Sequence, residues 1–161
     1  MATLHLMVGL PCSGKTTRAR ELEKKYSALR FTPDEWHIRL FGHDYGENMT
    51  KSEEAAHDIK HDTVEALMWE LAEKVLVLDI DVILDFGCWA RSQRDAYRAR
   101  AKDLGAQFRI HFMDASEPLL FERLKERNQQ NPEKAFYIPK AKLSEWLKVF
   151  EPPSSEELDQ S

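Results

Sequence analysis

A chain of 161 residues, 42% of them hydrophobic, has the length and apolar content of one domain with a true core. Its formal charge of −5 gives no global attraction to nucleic acid or to an anionic membrane, which leaves a local basic groove as the only route to either. No stretch approaches the roughly 18 apolar residues that span a bilayer, Met1 to His5 lacks the basic start of a signal peptide, and Cys12 and Cys88 stand far apart in no metal spacing, so a reducing, cytoplasmic setting without disulfides is expected.

Leu4-His5-Leu6-Met7-Val8 is short, apolar and stopped by Gly9, as a buried strand is, and His5 is expected to be a packed strand residue. A helix is predicted from about Lys15 to Tyr26, then a strand over Ala28 to Phe31. Thr32-Pro33-Asp34 reads as a turn and N-cap opening a short helix that ends at Gly42. The polar run from His43 to Thr50 is expected to be a loop. From about Ser52 a long helix is predicted, with Ala55, Ile59, Val64, Leu67, Met68, Leu71 and Val75 on one face. Periodicity leaves Val75 to Leu78 open between strand and helix end.

Val82 to Phe86 is a clear strand closed by Gly87. Ser92 is expected to cap a helix from Gln93 to Leu104, stopped by Gly105. Phe108 to Met113 alternates as a strand does, and Ser116-Glu117-Pro118 opens a helix to about Arg127. Residues 128–139 are polar and irregular, and a last helix is predicted from about Lys140 to Phe150. One domain over residues 1–151 is expected, with an acidic, Ser-rich, flexible tail over 152–161. Strand and helix alternate, which argues for an open parallel sheet with helices on both faces and a ligand at the carboxyl ends of its strands.

Gly9-Leu10-Pro11-Cys12-Ser13-Gly14-Lys15-Thr16 is an unbroken G-x-x-x-x-G-K-[ST], placed after a predicted strand and before a predicted helix. Glycines let the backbone curl so that successive N–H groups face one anion, and the helix adds its positive end. Lys15 would reach the β- and γ-phosphates of ATP, and Thr16 would offer a hydroxyl to Mg²⁺. Thr17 stands ready for the α-phosphate or as a first-turn cap. Cys12 lies near a helix N-terminus and Lys15, which favours a thiolate; as a small residue it also simply fits the loop.

Phosphoryl transfer to an alcohol needs a base, a metal holder and positive charge over the moving group. Asp34, after the second strand, is the base candidate, with Glu35 a weaker one. Asp85 ends its strand where a carboxylate acting through a metal-bound water is expected. Arg39, Arg91 and Arg94 are candidate contacts to the acceptor. Arg123 and Arg127 share a helix face just before the irregular segment 128–139, within an expected lid at about 123–139. Asp85-Phe86-Gly87 matches a protein-kinase triplet only by chance, since the other signatures of that family are missing. His57 and His61, four apart without a partnering carboxylate motif, read as a solvated face. Trp89, in the predicted acceptor loop, is the tryptophan to watch.

Together these residues resemble the small P-loop kinases of the AAA_33, predicted-kinase type. That group is related to the 5′-hydroxyl polynucleotide kinase of bacteriophage, the chloramphenicol phosphotransferases and the zeta-toxin-like kinases. The resemblance runs to about Glu157. It rests on Gly9 to Thr17, Thr32-Pro33-Asp34-Glu35-Trp36, Val82 to Gly87, Arg91-Ser92-Gln93-Arg94 and Leu120 to Asn128, with Phe150-Glu151-Pro152-Pro153 as a familiar tail. It implies a three-layer P-loop NTPase fold with four or five parallel strands, Asp34 as base, Arg123 and Arg127 as lid arginines, and Arg39 as the nearest match to an arginine that holds a substrate phosphate. Cys12 stands where many members have glycine.

The expected activity is ATP-dependent transfer to the hydroxyl of a small molecule. A polynucleotide 5′ end is the alternative acceptor, and a non-catalytic ATP-binding module the third reading. No N-K-x-D string points to guanine.

Overall fold

The computed structural model describes residues 1–130 and 133–159. In chain order the elements are β1 (Thr3–Val8), α1 (Lys15–Tyr26), β2 (Leu29–Phe31), α2 (Pro33–Phe41), α3 (Lys51–Val77), β3 (Val82–Gly87), α4 (Arg91–Asp103), β4 (Gln107–Phe112), α5 (Glu117–Gln130), α6 (Lys140–Val149) and α7 (Ser155–Asp159). Among the described residues the sheet has four strands in the order β2-β3-β1-β4, and every pairing is parallel. β1 lies inside, which explains its continuous apolar run: both of its faces are covered.

The two faces separate by strand alternation. Leu4, Leu6 and Val8 pack with Val64, Met68, Ala72 and Leu76 of α3, together with Val82 and Leu84. Met7 and Ile83 point the other way, onto Ala19 and Leu22 of α1. His5 shares that second face, where it stacks on Tyr26 with ring centroids 4.8 Å apart. Its Nδ1 lies 2.9 Å from Nε2 of His111 on β4. Burial lowers both imidazoles, His111 to about 4.

α3 begins at a capping box. The Glu53 N–H donates to Thr50 Oγ1 at 3.2 Å, and the Thr50 N–H to Glu53 Oε2 at 2.8 Å. The helix runs through Val77, so the ambiguous stretch is a helix end. Its buried line differs from the predicted one. Val64 and Met68 are buried as expected, but Ala55, Ile59, Leu67 and Leu71 are exposed, and Ala72 and Leu76 lie inside instead. The helix carries two neighbouring apolar lines at i+4 spacing. Periodicity cannot choose between them; the sheet accepts the one containing small Ala72.

The acidic C-terminal segment is also not the expected free tail. Ser155–Asp159 form a short helix, and Glu157 is buried against Arg94. Arg94 Nε donates to Glu157 Oε1 at 2.8 Å and Nη2 to Oε2 at 3.3 Å. Arg94 Nη1 donates to the carbonyls of Cys88, Trp89 and Glu151. The hydrogen bond from Arg94 holds Glu157 down to about 2. A buried ion pair is tolerable only when its remaining polar atoms are satisfied, as they are here. Residues 131–132 of the expected lid and 160–161 of the tail lie outside the described residues.

Candidate active site

The loop after β1 folds as its glycines require. A Cβ on Gly9 would stand 2.7 Å from Ser13 Oγ and 3.1 Å from the Met113 carbonyl, so only glycine fits. Gly14 takes φ 95, a left-handed conformation, and opens α1. The Gly9 N–H donates to the Gly87 carbonyl at 3.1 Å, which ties the loop to the end of β3. Lys15 curls over the loop and donates from Nζ to the Leu10 carbonyl at 2.8 Å. Cys12 takes φ 66, which gives a physical reason for glycine to be at home at that position.

Asp85, near the end of β3, is buried beside this loop. Its Oδ2 accepts from Thr16 Oγ1 at 2.6 Å and from Thr32 Oγ1 at 3.1 Å, while Oδ1 has no hydrogen-bond partner among the described residues. Burial pushes the Asp85 carboxyl up, against the pull of Lys15. Burial likewise lowers the Lys15 ammonium, against Asp85 and Asp34. Both groups are short of polar company, as at a site that receives charged ligands.

A cleft of about 620 Å³ joins these groups to Asp34 and Arg127. The N-cap of α2 is Thr32, so Asp34 sits in the first turn with its carboxylate on the cleft, where His61 Nε2 lies 3.9 Å from Oδ1. Pro33 starts the helix at the position where a missing N–H costs nothing. α5 brings both expected lid arginines to Cys12 of the loop, Arg127 with Nη1 3.8 Å from its Sγ, and of the two Arg127 lines the cleft. Arg123 Nη1 donates to the Cys12 carbonyl at 3.2 Å, and Arg127 Nη2 to the Phe136 carbonyl at 2.9 Å. Pro11, Cys12, Gly14, Thr16 and Thr17 also line the cleft, while Ser13 is buried beneath Gly9.

Three expected acceptor contacts fall elsewhere. Arg39 is exposed on α2, and Arg91 is exposed with its Nε 3.6 Å from Asp95; neither lines the cleft. Arg94 is a correction: its guanidinium is consumed in the interior by Glu157 and three carbonyls. His57 and His61 are corrected too. His57 is buried, His61 is half-buried, and both line the cleft.

The outer wall was largely missed in the sequence. It comprises Tyr45 from the loop after α2, Glu54, Asp58 and Asp62 from α3, and Lys142 and Trp146 from α6. Trp146 packs on Trp89 with ring centroids 5.4 Å apart, and the Trp89 Nε1–H donates to the Gly9 carbonyl at 3.2 Å. The one available signal was the i+4 line Glu54-Asp58-Asp62, which repeats on a single helix face.

The AAA_33 family, described as an AAA domain, matches residues 4–153. The chain belongs to this family. No curated protein matches it. Solved structures with the same fold include Kti12 of Chaetomium thermophilum in complex with ADP-AlF3. It is 20% identical with a TM-score of 0.65, over 95% of this chain and 82% of that one. A gluconokinase of Sinorhizobium meliloti is 18% identical with a TM-score of 0.57, over 96% and 77%. The APS kinase CysC of Mycobacterium tuberculosis, in complex with AMPPNP and APS, is 16% identical with a TM-score of 0.52, over 96% and 84%. The AAA_33 chain therefore has the P-loop kinase fold. Among its described residues no helix is long and apolar enough to cross a membrane.

Proposed function

We propose that this protein is an ATP-dependent kinase that transfers the γ-phosphoryl group to a hydroxyl of a small molecule, with Asp34 as the base. One observation carries the reading: the Asp34 carboxylate shares a single cleft with Lys15, Thr16, Asp85 and Arg127. Kti12 with ADP-AlF3 and CysC with AMPPNP and APS support nucleotide in this fold.

The backbone N–H groups of the loop and Lys15 would hold the phosphates. Lys15 already points at the loop interior, bonded to a carbonyl it can exchange for a phosphate oxygen. Thr16 Oγ1 and the unmatched Oδ1 of Asp85 suit a hydrated Mg²⁺, with Asp85 reaching it through water. When bound, Mg²⁺ would neutralise charge on the β- and γ-phosphate oxygens. Arg123 and Arg127 would add donors over the moving phosphoryl group. Asp34 would accept the acceptor's hydroxyl proton while the new O–P bond forms and the bond to the β-phosphate oxygen breaks.

A small acceptor is favoured because the outer wall carries Asp58 and Asp62 beside a Glu54 already paired with Lys142, a net negative face that would repel a polyphosphate backbone. Arg39, Arg91 and Arg94, the candidates for a basic channel, do not line the cleft.

The test is label transfer from γ-labelled ATP across a panel of nucleosides, sugars, aminoglycosides and oligonucleotides. The expected result is transfer to a small hydroxyl compound. Asp34→Asn is expected to lower turnover by about 10²–10⁴-fold while ATP affinity stays within about twofold. Transfer to oligonucleotide 5′ ends alone would sink the small-molecule reading. Silence across the panel, with Asp34→Asn binding ATP as wild type does, would leave a binding module.

A further inference from the structure

Three histidines meet at the seam of α2 and α3, outside the phosphate cradle. His37 is fully buried in α2. His57 and His61 approach it from successive turns of α3, with ring centroids 4.5 and 5.6 Å from that of His37. One nitrogen from each ring lies within 4.8 Å of the other two.

Neighbouring groups set which nitrogens are protonated. Asp44 Oδ1 lies 2.8 Å from His37 Nε2 and 2.7 Å from His57 Nδ1. Lys60 Nζ lies 2.8 Å from Oδ2 and pairs with Asp44 as a carboxylate. An ionised carboxylate only accepts, so both of those nitrogens carry hydrogen. The lone pairs then fall on His37 Nδ1 and His57 Nε2. His61 Nε2 lies 3.4 Å from Glu65 Oε1, which puts its hydrogen there and its lone pair on Nδ1. Among the described residues neither His37 Nδ1 nor His61 Nδ1, both buried, has a hydrogen-bond partner. A bare lone pair in the interior is costly, and two in one cluster call for a shared partner.

We propose that His37, His57 and His61 form a binding site for one divalent transition-metal cation, best matched by Zn²⁺ and distinct from the cation position at Thr16 and Asp85. Imidazole nitrogen suits zinc and its neighbours and disfavours Mg²⁺, which takes oxygen. Asp44 supplies the second layer that metal-bound histidines use, fixing tautomer and ring orientation. Three protein ligands leave a fourth position. His57 and His61 line the cleft, so the site borders it. Tetrahedral zinc needs nitrogens about 3.3 Å apart, so binding must draw the three rings closer than the 4.8 Å within which their nitrogens lie.

The test is calorimetric titration of the metal-stripped full chain with Zn²⁺, in excess Mg²⁺ and without nucleotide, so its outcome is independent of kinase activity. One Zn²⁺ per chain is expected, and bound Co²⁺ should give a tetrahedral visible spectrum. His57→Ala and His61→Ala should each weaken Zn²⁺ by about 10–100-fold. His43→Ala, at a histidine outside the cluster, should leave the affinity unchanged. Asp44→Asn should weaken binding with all three rings kept, a readout that does not require removing buried His37. Absence of saturable binding would overturn the site, as would binding that survives both His57→Ala and His61→Ala.

Discussion

The phosphate side of the cleft comes from one unbroken octapeptide and the ends of two adjacent strands. The wall facing it is gathered from Tyr45, α3, the loop after β3 and α6, far apart in the chain. On the first side, backbone sets the geometry: Gly9 against Ser13, Gly14 in the left-handed region, and the Gly9–Gly87 hydrogen bond. On the second, side chains set it, with Trp146 resting on Trp89 and Trp89 on the loop carbonyl. A backbone-built cradle accepts any triphosphate tail. A side-chain wall can change with single substitutions, so acceptor choice should reside there.

The sharpest way to break this division is Lys15→Ala. It should lower phosphoryl transfer by about 10²–10³-fold. Melting temperature should move by no more than about 2–4 °C, because loss of a cation that burial disfavours is offset by leaving Asp85 and the Leu10 carbonyl without it. A kinetic assay beside a thermal melt checks both. Trp146→Ala attacks the opposite wall and should raise KM for the acceptor about tenfold, with ATP affinity unaltered, since it removes a ring contact on Trp89. An equal loss of ATP affinity would show that the two walls are one unit. The mildest change is Cys12→Gly. Relief of the left-handed residue should raise melting by no more than about 2–4 °C and leave ATP affinity within about twofold.

The same division explains what could be read without coordinates. The cradle, all four strands and the alternation that orders them are local signals, carried by contiguous runs such as Leu4 to Val8 and Gly9 to Thr16. The place of Asp34 and Asp85 on the cleft was reachable because both lie at the carboxyl edge of the sheet, by rule the ligand edge. Arg94 was misassigned because its partner Glu157 arrives from 63 positions away, and charge near a strand end says nothing of whether it is consumed inside. His57 and His61 were read as solvent-facing because the decisive neighbours, His37 and Asp44, belong to another helix and a loop. The α3 face was misread because two apolar lines compete on one helix, and only docking selects between them.

The imidazole pair behind the sheet, His5 with His111, bears on how the protein meets acid. Both are depressed when folded, His111 to about 4, so the unfolded chain takes up protons more readily below the ordinary imidazole value of 6.5. Their contribution is intact above pH 6.5 and drains away as pH falls toward 4. Melts at pH 7 and pH 5 should therefore differ by a few degrees in favour of neutrality, and His111→Gln should narrow the gap. Mild acidification would thus load charge onto β1 and β4 on the face that packs against α1.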